Sequence, residues 1–240
     1  MMEEALAICR RNINNPNFQG QATTIHIKYA QMLSNYGLIV RDTGKLDKAL
    51  DTLLEAQNME KNILAVNSLA RVETANRLGT VYHRQGRHKE AQKALETALA
   101  VLKSVNANHP YNATISTAIA RLMYDIDEPF LAQSYIGEAL RIRTDKTRCC
   151  GEIHTQVARC YSILGDLSLQ SNDPVSAHFY FLKAHTVFSR LIERETTLRA
   201  SLATDLGQVT LIQNWANRQN KVFSKLCDIV QRIGKKTISL

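Results

Sequence analysis

Apolar and small residues recur along this chain at two superimposed spacings. Locally they follow the three-to-four-residue step of a helix face. Leu78, Gly79 and Tyr82 make one stripe, Ala91, Leu95 and Ala98 make a second, and Gly86 lies between them. The stretch Asn76 to Val101, NRLGTVYHRQGRHKEAQKALETALAV, therefore predicts one helical hairpin. Its small residues Gly79, Ala91 and Ala98 let the two helices pack closely. The same register returns at longer range. It reads at Tyr36, Gly37 and Val40, then Gly44, then Ala49, Leu53 and Ala56. Downstream it reads at Ile119, Ala120, Met123, Ala132, Ile136 and Ala139, then at Leu164, Gly165, Ala177, Phe181 and Ala184, with a weaker copy at Leu206 and Gly207. Self-similarity at a fixed period of about 42 residues predicts a solenoid of stacked units, all-α and built of antiparallel helix pairs.

Turn residues divide the array. Asn12 to Gln21, with Pro16 and Gly20, reads as a loop after a short helical segment, EEALAICRR, which matches the end of a second helix. A lone capping helix or a piece of a longer protein both account for that start. The hairpins then run from Thr23 or Thr24 to about Ile63, Ser68 to Val105, Tyr111 to Arg143, Gly151 to Arg194 and Thr196 to Gly234. In the third and fourth, Asp127-Glu128-Pro129 and Asn172-Asp173-Pro174 replace the turn glycine, each proline suiting a first helical position. The expected organisation is a partial hairpin and loop over 1–22, a solenoid over 23–215, and a capping helix with a basic tail over 216–240.

LGTVYHRQGRHKEAQKALETALAV, together with the inter-repeat stretch Asn108 to Thr114, NHPYNAT, resembles the tetratricopeptide repeat family in its long-period, kinesin light chain-like form. The resemblance covers roughly residues 24–215. It implies a right-handed superhelical solenoid of four to five hairpins that acts as a protein-interaction scaffold or adaptor. In such arrays the first helices line a concave groove. Carried over by register, that groove takes Ser34, Asn35, Leu38 and Arg41, then Asn76, Arg77, Thr80, His83 and Arg84. It continues with Thr117, Arg121 and Tyr124, then Arg159, Ser162 and Asp166. The expected peptide-binding residues are Asn35, Arg41, Asn76, Arg77, His83, Arg84, Arg121, Tyr124 and Arg159. Asn76 would hold a peptide backbone, and the arginines offer forked donors to carboxylates, so the expected ligand is an extended or short helical acidic segment. Asp42, Glu73, Asp125, Asp166 and Asp205 fall on or beside the same surface, which leaves a self-neutralising wall open as the alternative.

Charge agrees with an acidic partner: 30 Lys and Arg against 22 Asp and Glu give a formal +8. The five cysteines form no CxxC and no metal-like spacing with histidine, which points to a reducing compartment and a cytoplasmic location. No apolar run reaches membrane-spanning length, and MMEEALAICRR has acid where a signal peptide needs base. The sequon Asn112-Ala113-Thr114 reads as coincidental in such a chain. No phosphate-cradling loop, HExxH or GxSxG is present, so neither enzyme activity nor a cofactor is expected. His178 and His185, two turns apart, read as ordinary helix residues rather than metal ligands. Aromatic residues do not recur once per repeat, as a code for reading single-stranded nucleic acid would require. A second reading makes the array the sensor or oligomerisation arm of a larger NB-ARC-type or motor-associated protein, self-associating through Phe223 and Leu226.

Overall fold

In a computed structural model, which describes residues 2–13, 22–145 and 154–202, the described chain forms an all-α helical repeat. The elements are α1 (Met2–Ile13), α2 (Ala22–Asp42), α3 (Leu46–Ile63), α4 (Leu69–Arg84), α5 (His88–Val105), α6 (Pro110–Asp125), α7 (Pro129–Thr144), α8 (Thr155–Gln170) and α9 (Pro174–Leu202). They fall into two compact units divided between Ile126 and Asp127. In the first, α2 packs on α3 and α4 on α5, α1 packs on α2, and the first helices α2, α4 and α6 also touch in succession. In the second, α8 packs on both α7 and α9.

Three helix pairs approach where a glycine on the first helix meets a large side chain on the second. A β-carbon on Gly37 would lie 2.6 Å from Leu53 Cγ, one on Gly79 2.6 Å from Leu95 Cγ, and one on Gly165 2.6 Å from Phe181 Cε1. Leu53, Leu95 and Phe181 are thus the same position of their second helices, the register puts Ile136 at that position of α7, and all four are buried. The alanines around them, Ala49 and Ala56, Ala91 and Ala98, Ala132 and Ala139, Ala177 and Ala184, are buried as the spacing predicts.

The turns share one backbone solution. Gly44 and Gly86 take positive φ (83° and 73°), and the chain closes behind them when the Lys45 and Arg87 N–H groups donate to the Val40 and Tyr82 carbonyls. Asp127 and Asn172 take the same left-handed conformation (63° and 55°) where glycine is absent. Short polar side chains tolerate that region best after glycine. The linker ahead of α6 is held by its own side chains: His109 Nδ1 accepts from the Tyr111 N–H at 3.1 Å with Pro110 at the helix start, and His154 caps α8 in the same way. Asn112 is fully buried and its amide donates to the Asn106 and Ala107 carbonyls, both at 2.9 Å. That leaves the sequon no room for a glycan. Phe223, Leu226 and the 216–240 cap lie outside the described residues.

Gly79→Ala should destabilise the protein by about 1–3 kcal/mol, because Leu95 is fully enclosed and has nowhere to retreat. Gly137, whose β-carbon would meet nothing, should gain up to about 1 kcal/mol on change to alanine. Urea unfolding of the two variants checks both signs.

Candidate functional site

The helical register brings most of the expected site residues into the first unit: Asn35 and Arg41 on α2, Asn76, Arg77, His83 and Arg84 on α4, and Arg121 and Tyr124 on α6. Arg159 lies, exposed, on α8 of the second unit. On the shared face of α2, α4 and α6, side chains link one repeat to the next. Arg41 Nη1 donates to Thr80 Oγ1 at 3.0 Å while its Nε and Nη2 hold Asp42. Arg84 Nη1 donates to the Arg41 carbonyl at 3.0 Å and lies 3.8 Å from Asp42. His83 Nε2 meets Asp125 Oδ2 at 2.5 Å.

Two of the expected residues lie beneath that face. Asn76 is only 7% exposed, because α4 is flanked by α2, α3, α5 and α6; its amide donates to the Tyr111 hydroxyl at 3.1 Å. It does not offer a free amide to a peptide, and its carbonyl oxygen is buried without a partner among the described residues. Arg77 Nη1 donates to Ser34 Oγ at 2.6 Å, and its Nη2 is 3.7 Å from Glu73. Arg84 and Arg121 are the more open cations; Arg84 retains half its side-chain exposure, and Arg121 is exposed and takes part in none of these bonds. Asn35 is exposed beside them on α2.

Behind Arg77 runs a polar chain that crosses three helices. Thr74 Oγ1 donates to Glu60 Oε1 at 2.9 Å, and Ser34 Oγ is 2.8 Å from Thr74 Oγ1. Arginine has no acceptor and the single threonine proton goes to Glu60, so Ser34 must donate to Thr74, and every bond points from Arg77 toward the carboxyl. Glu60 is 1% exposed and its second oxygen is unpartnered among the described residues. Burial pushes its pKa up to about 7, against the opposing pull of the Thr74 bond and of Arg77 and Arg71, with Glu73 adding to the rise. Burial likewise raises the Tyr111 phenol. The sequence contained the signal for Glu60: it extends the packing stripe Ala49, Leu53, Ala56 by one more turn, at the position where the next repeat has Leu102.

Because the folded carboxyl holds its proton more tightly than the unfolded one, its contribution to stability is complete below pH 4.5 and is lost as pH rises through about 7. Relative to wild type, Glu60→Gln should gain up to about 3 kcal/mol in stability between pH 4.5 and 8. Chemical denaturation of both proteins across that range measures it, and parallel stability curves would contradict a buried, proton-retaining Glu60.

The geometry belongs with known helical repeats. A tetratricopeptide repeat family model matches residues 28–104 and 70–145. Among solved structures, BtubC (BKLC) from P. vanneervenii is similar over 93% of this chain and 92% of its own, at 19% identity with a TM-score of 0.65. A Podosopora anserina kinesin light chain structure with nearly identical TPR-like repeats matches over 85% and 94% at 16% identity, with a TM-score of 0.53. PilF of Pseudomonas aeruginosa matches over 82% and 86% at 19% identity, also with a TM-score of 0.53. No curated protein matches by sequence. Among the described residues no helix is long and apolar enough to cross a membrane. Repeat period, glycine-centred hairpins and family match agree: the chain belongs to the tetratricopeptide repeat family, whose members are in general protein-interaction scaffolds.

Proposed function

We propose that the shared face of α2, α4 and α6 binds an acidic peptide segment, extended or in a short helix, as part of a cytoplasmic scaffold. The observation that carries this is the contrast among its cations. Arg41 and Arg77 are enclosed by side-chain partners of the neighbouring helix, whereas Arg84, beyond its one bond to the Arg41 carbonyl, keeps half its side chain exposed and meets Asp42 only at 3.8 Å, and Arg121 is exposed. An exposed ion pair of that length is worth no more than about 1 kcal/mol, so a ligand carboxylate displaces it at little cost.

The register sets the ligand's spacing. Arg121 is level with Thr80 in the repeat, and Arg84 lies one turn beyond Thr80 on the neighbouring helix. Their backbone positions are therefore on the order of 10 Å apart. Two acidic residues three apart in an extended strand, or two turns apart on a helix, span that distance. Asn35 supplies an exposed amide, and His83, held by Asp125, and Tyr124 supply ring faces on the same side. Arg159 is exposed on α8 of the second unit. Free thiols at Cys9 and Cys160 support placing the scaffold in a reducing compartment.

Arg84→Glu combined with Arg121→Glu should weaken binding of a fluorescein-labelled peptide with acidic residues at i and i+3 by at least about tenfold and flatten its salt dependence. Fluorescence anisotropy at low and physiological salt measures both, and unchanged affinity would place the site elsewhere.

A further inference from the structure

The repeat contains its own control for what a solvent-facing position should carry. Six residues before the position of Leu53, Leu95, Ile136 and Phe181, the second helices have Asp47 in α3 and Lys89 in α5, but Phe130 in α7 and Val175 in α9. Two before it they have Asp51, Lys93, Ser134 and Phe179; one after it, Leu54, Glu96, Gly137 and Leu182. The first unit charges the two leading positions and partly covers or charges the third. In the second unit α9 leaves all three apolar and open, with Val175 79%, Phe179 49% and Leu182 55% exposed, while α7 has an exposed Phe130 (85%) followed by Ser134 and Gly137. Val175, Phe179 and Leu182 stand at i, i+4 and i+7, one continuous stripe about 10 Å long on the side of α9 away from buried Ala177, Phe181 and Ala184. The fold does not demand it, since α3 and α5 make the same internal contacts with Asp and Lys at the two leading positions.

The charge around the stripe identifies its occupant. From Pro174 to Ile192 α9 carries no Asp or Glu, while Lys183 and Arg190 are exposed on it. Lys183 Nζ lies 4.4 Å from the Phe179 ring centre and 5.4 Å from that of Tyr161, so a cation sits on the stripe itself. A second copy of this chain, joined by a two-fold axis, would press this basic patch against itself. A membrane surface calls for a Lys- and Arg-rich rim along a helix, and from Pro174 to Ile192 α9 has only Lys183 and Arg190. A narrow seam of three apolar residues with a cation at its edge fits a single helix that is apolar on one side and acidic at the border. We propose that the outer face of α9 is a second docking surface, distinct from the α2, α4 and α6 face, which takes an acidic amphipathic helix of a partner protein.

The test uses the full chain and two labelled alanine-based helical peptides, each with Leu at i, i+4 and i+7, one flanked by Glu and its twin by Lys. Anisotropy should show the Glu peptide binding and the Lys twin failing to bind. Val175→Ser with Phe179→Ser should weaken the Glu peptide at least tenfold. Lys183→Glu should weaken the Glu peptide and admit the Lys twin, and the effects of the serine pair and of Lys183→Glu should persist in a chain that already carries Arg84→Glu and Arg121→Glu, which silences the α2, α4 and α6 face. Equal binding of the twins, or indifference to the serine pair, overturns the proposal. So does sedimentation with phosphatidylserine vesicles that the serine pair abolishes, which assigns the stripe to a membrane, and so does a doubled mass in light scattering that the same pair abolishes, which assigns it to self-association. The substituted side chains are solvent-facing, so circular dichroism should be unchanged; lost helix content would contradict their exposure and the proposal with it.

Discussion

A missing side chain sets the geometry of this molecule. Gly37, Gly79 and Gly165 each leave the space that Leu53, Leu95 or Phe181 fills, and the two helices of a hairpin meet at that point. Because an α-helix turns 100° per residue, fixing one residue of the second helix against the first fixes the direction of every other residue on it. Positions four before, three after and seven after the contact turn inward and are alanine, alanine and a variable residue. Positions six and two before it turn out to solvent. The buried core and the outer surface are therefore consequences of one close contact repeated along the chain.

The variable inward position shows how each repeat is made distinct. It holds Glu60 in α3, Leu102 in α5 and Arg143 in α7, all buried. An acid and a base occupy the same slot and are accommodated differently. Glu60 ends the hydroxyl chain from Arg77, while Arg143 Nη1 donates to the Cys160 sulfur at 3.0 Å and approaches the Gln156 carbonyl at 3.4 Å. Burying a charge costs free energy that only specific partners offset, and those partners exist in one repeat each. The shared stripe makes the units alike enough to stack, and the polar slot makes their neighbours non-interchangeable.

The same linking of repeats sorts the cations of the first-helix face. Arg41 and Arg77 bond to side chains of the neighbouring helix and brace the stack, whereas Arg84, held by one bond to the Arg41 carbonyl, and Arg121 keep exposed surface. The outer face of the second helices obeys no such internal demand. Packing within the hairpin does not require the apolar side chains of Val175 and Phe179, which are exposed.

Periodicity alone determined the all-α class, the turns at Gly44, Gly86, Asp127 and Asn172 and the inward alanines, because each follows from local propensity and a fixed helical step; the expected boundary between Arg194 and Thr196 was wrong, since α9 runs unbroken through it to Leu202 with no glycine or proline there to end it. It also placed Arg84 and Arg121 on one face, since register along equivalent helices is a matter of counting. Tertiary structure decided the rest. Asn76 and Arg77 share that register, yet α6 and Tyr111 cover the first, and Ser34 from the neighbouring helix takes a donor of the second. Glu60 was legible as an acid on an apolar stripe, but its partners Thr74 and Ser34 lie 14 and 26 positions away in sequence. Hydrogen bonds between residues that far apart depend on how the helices stack, and a helical period carries no information about which side chain from the next repeat will reach across to meet them.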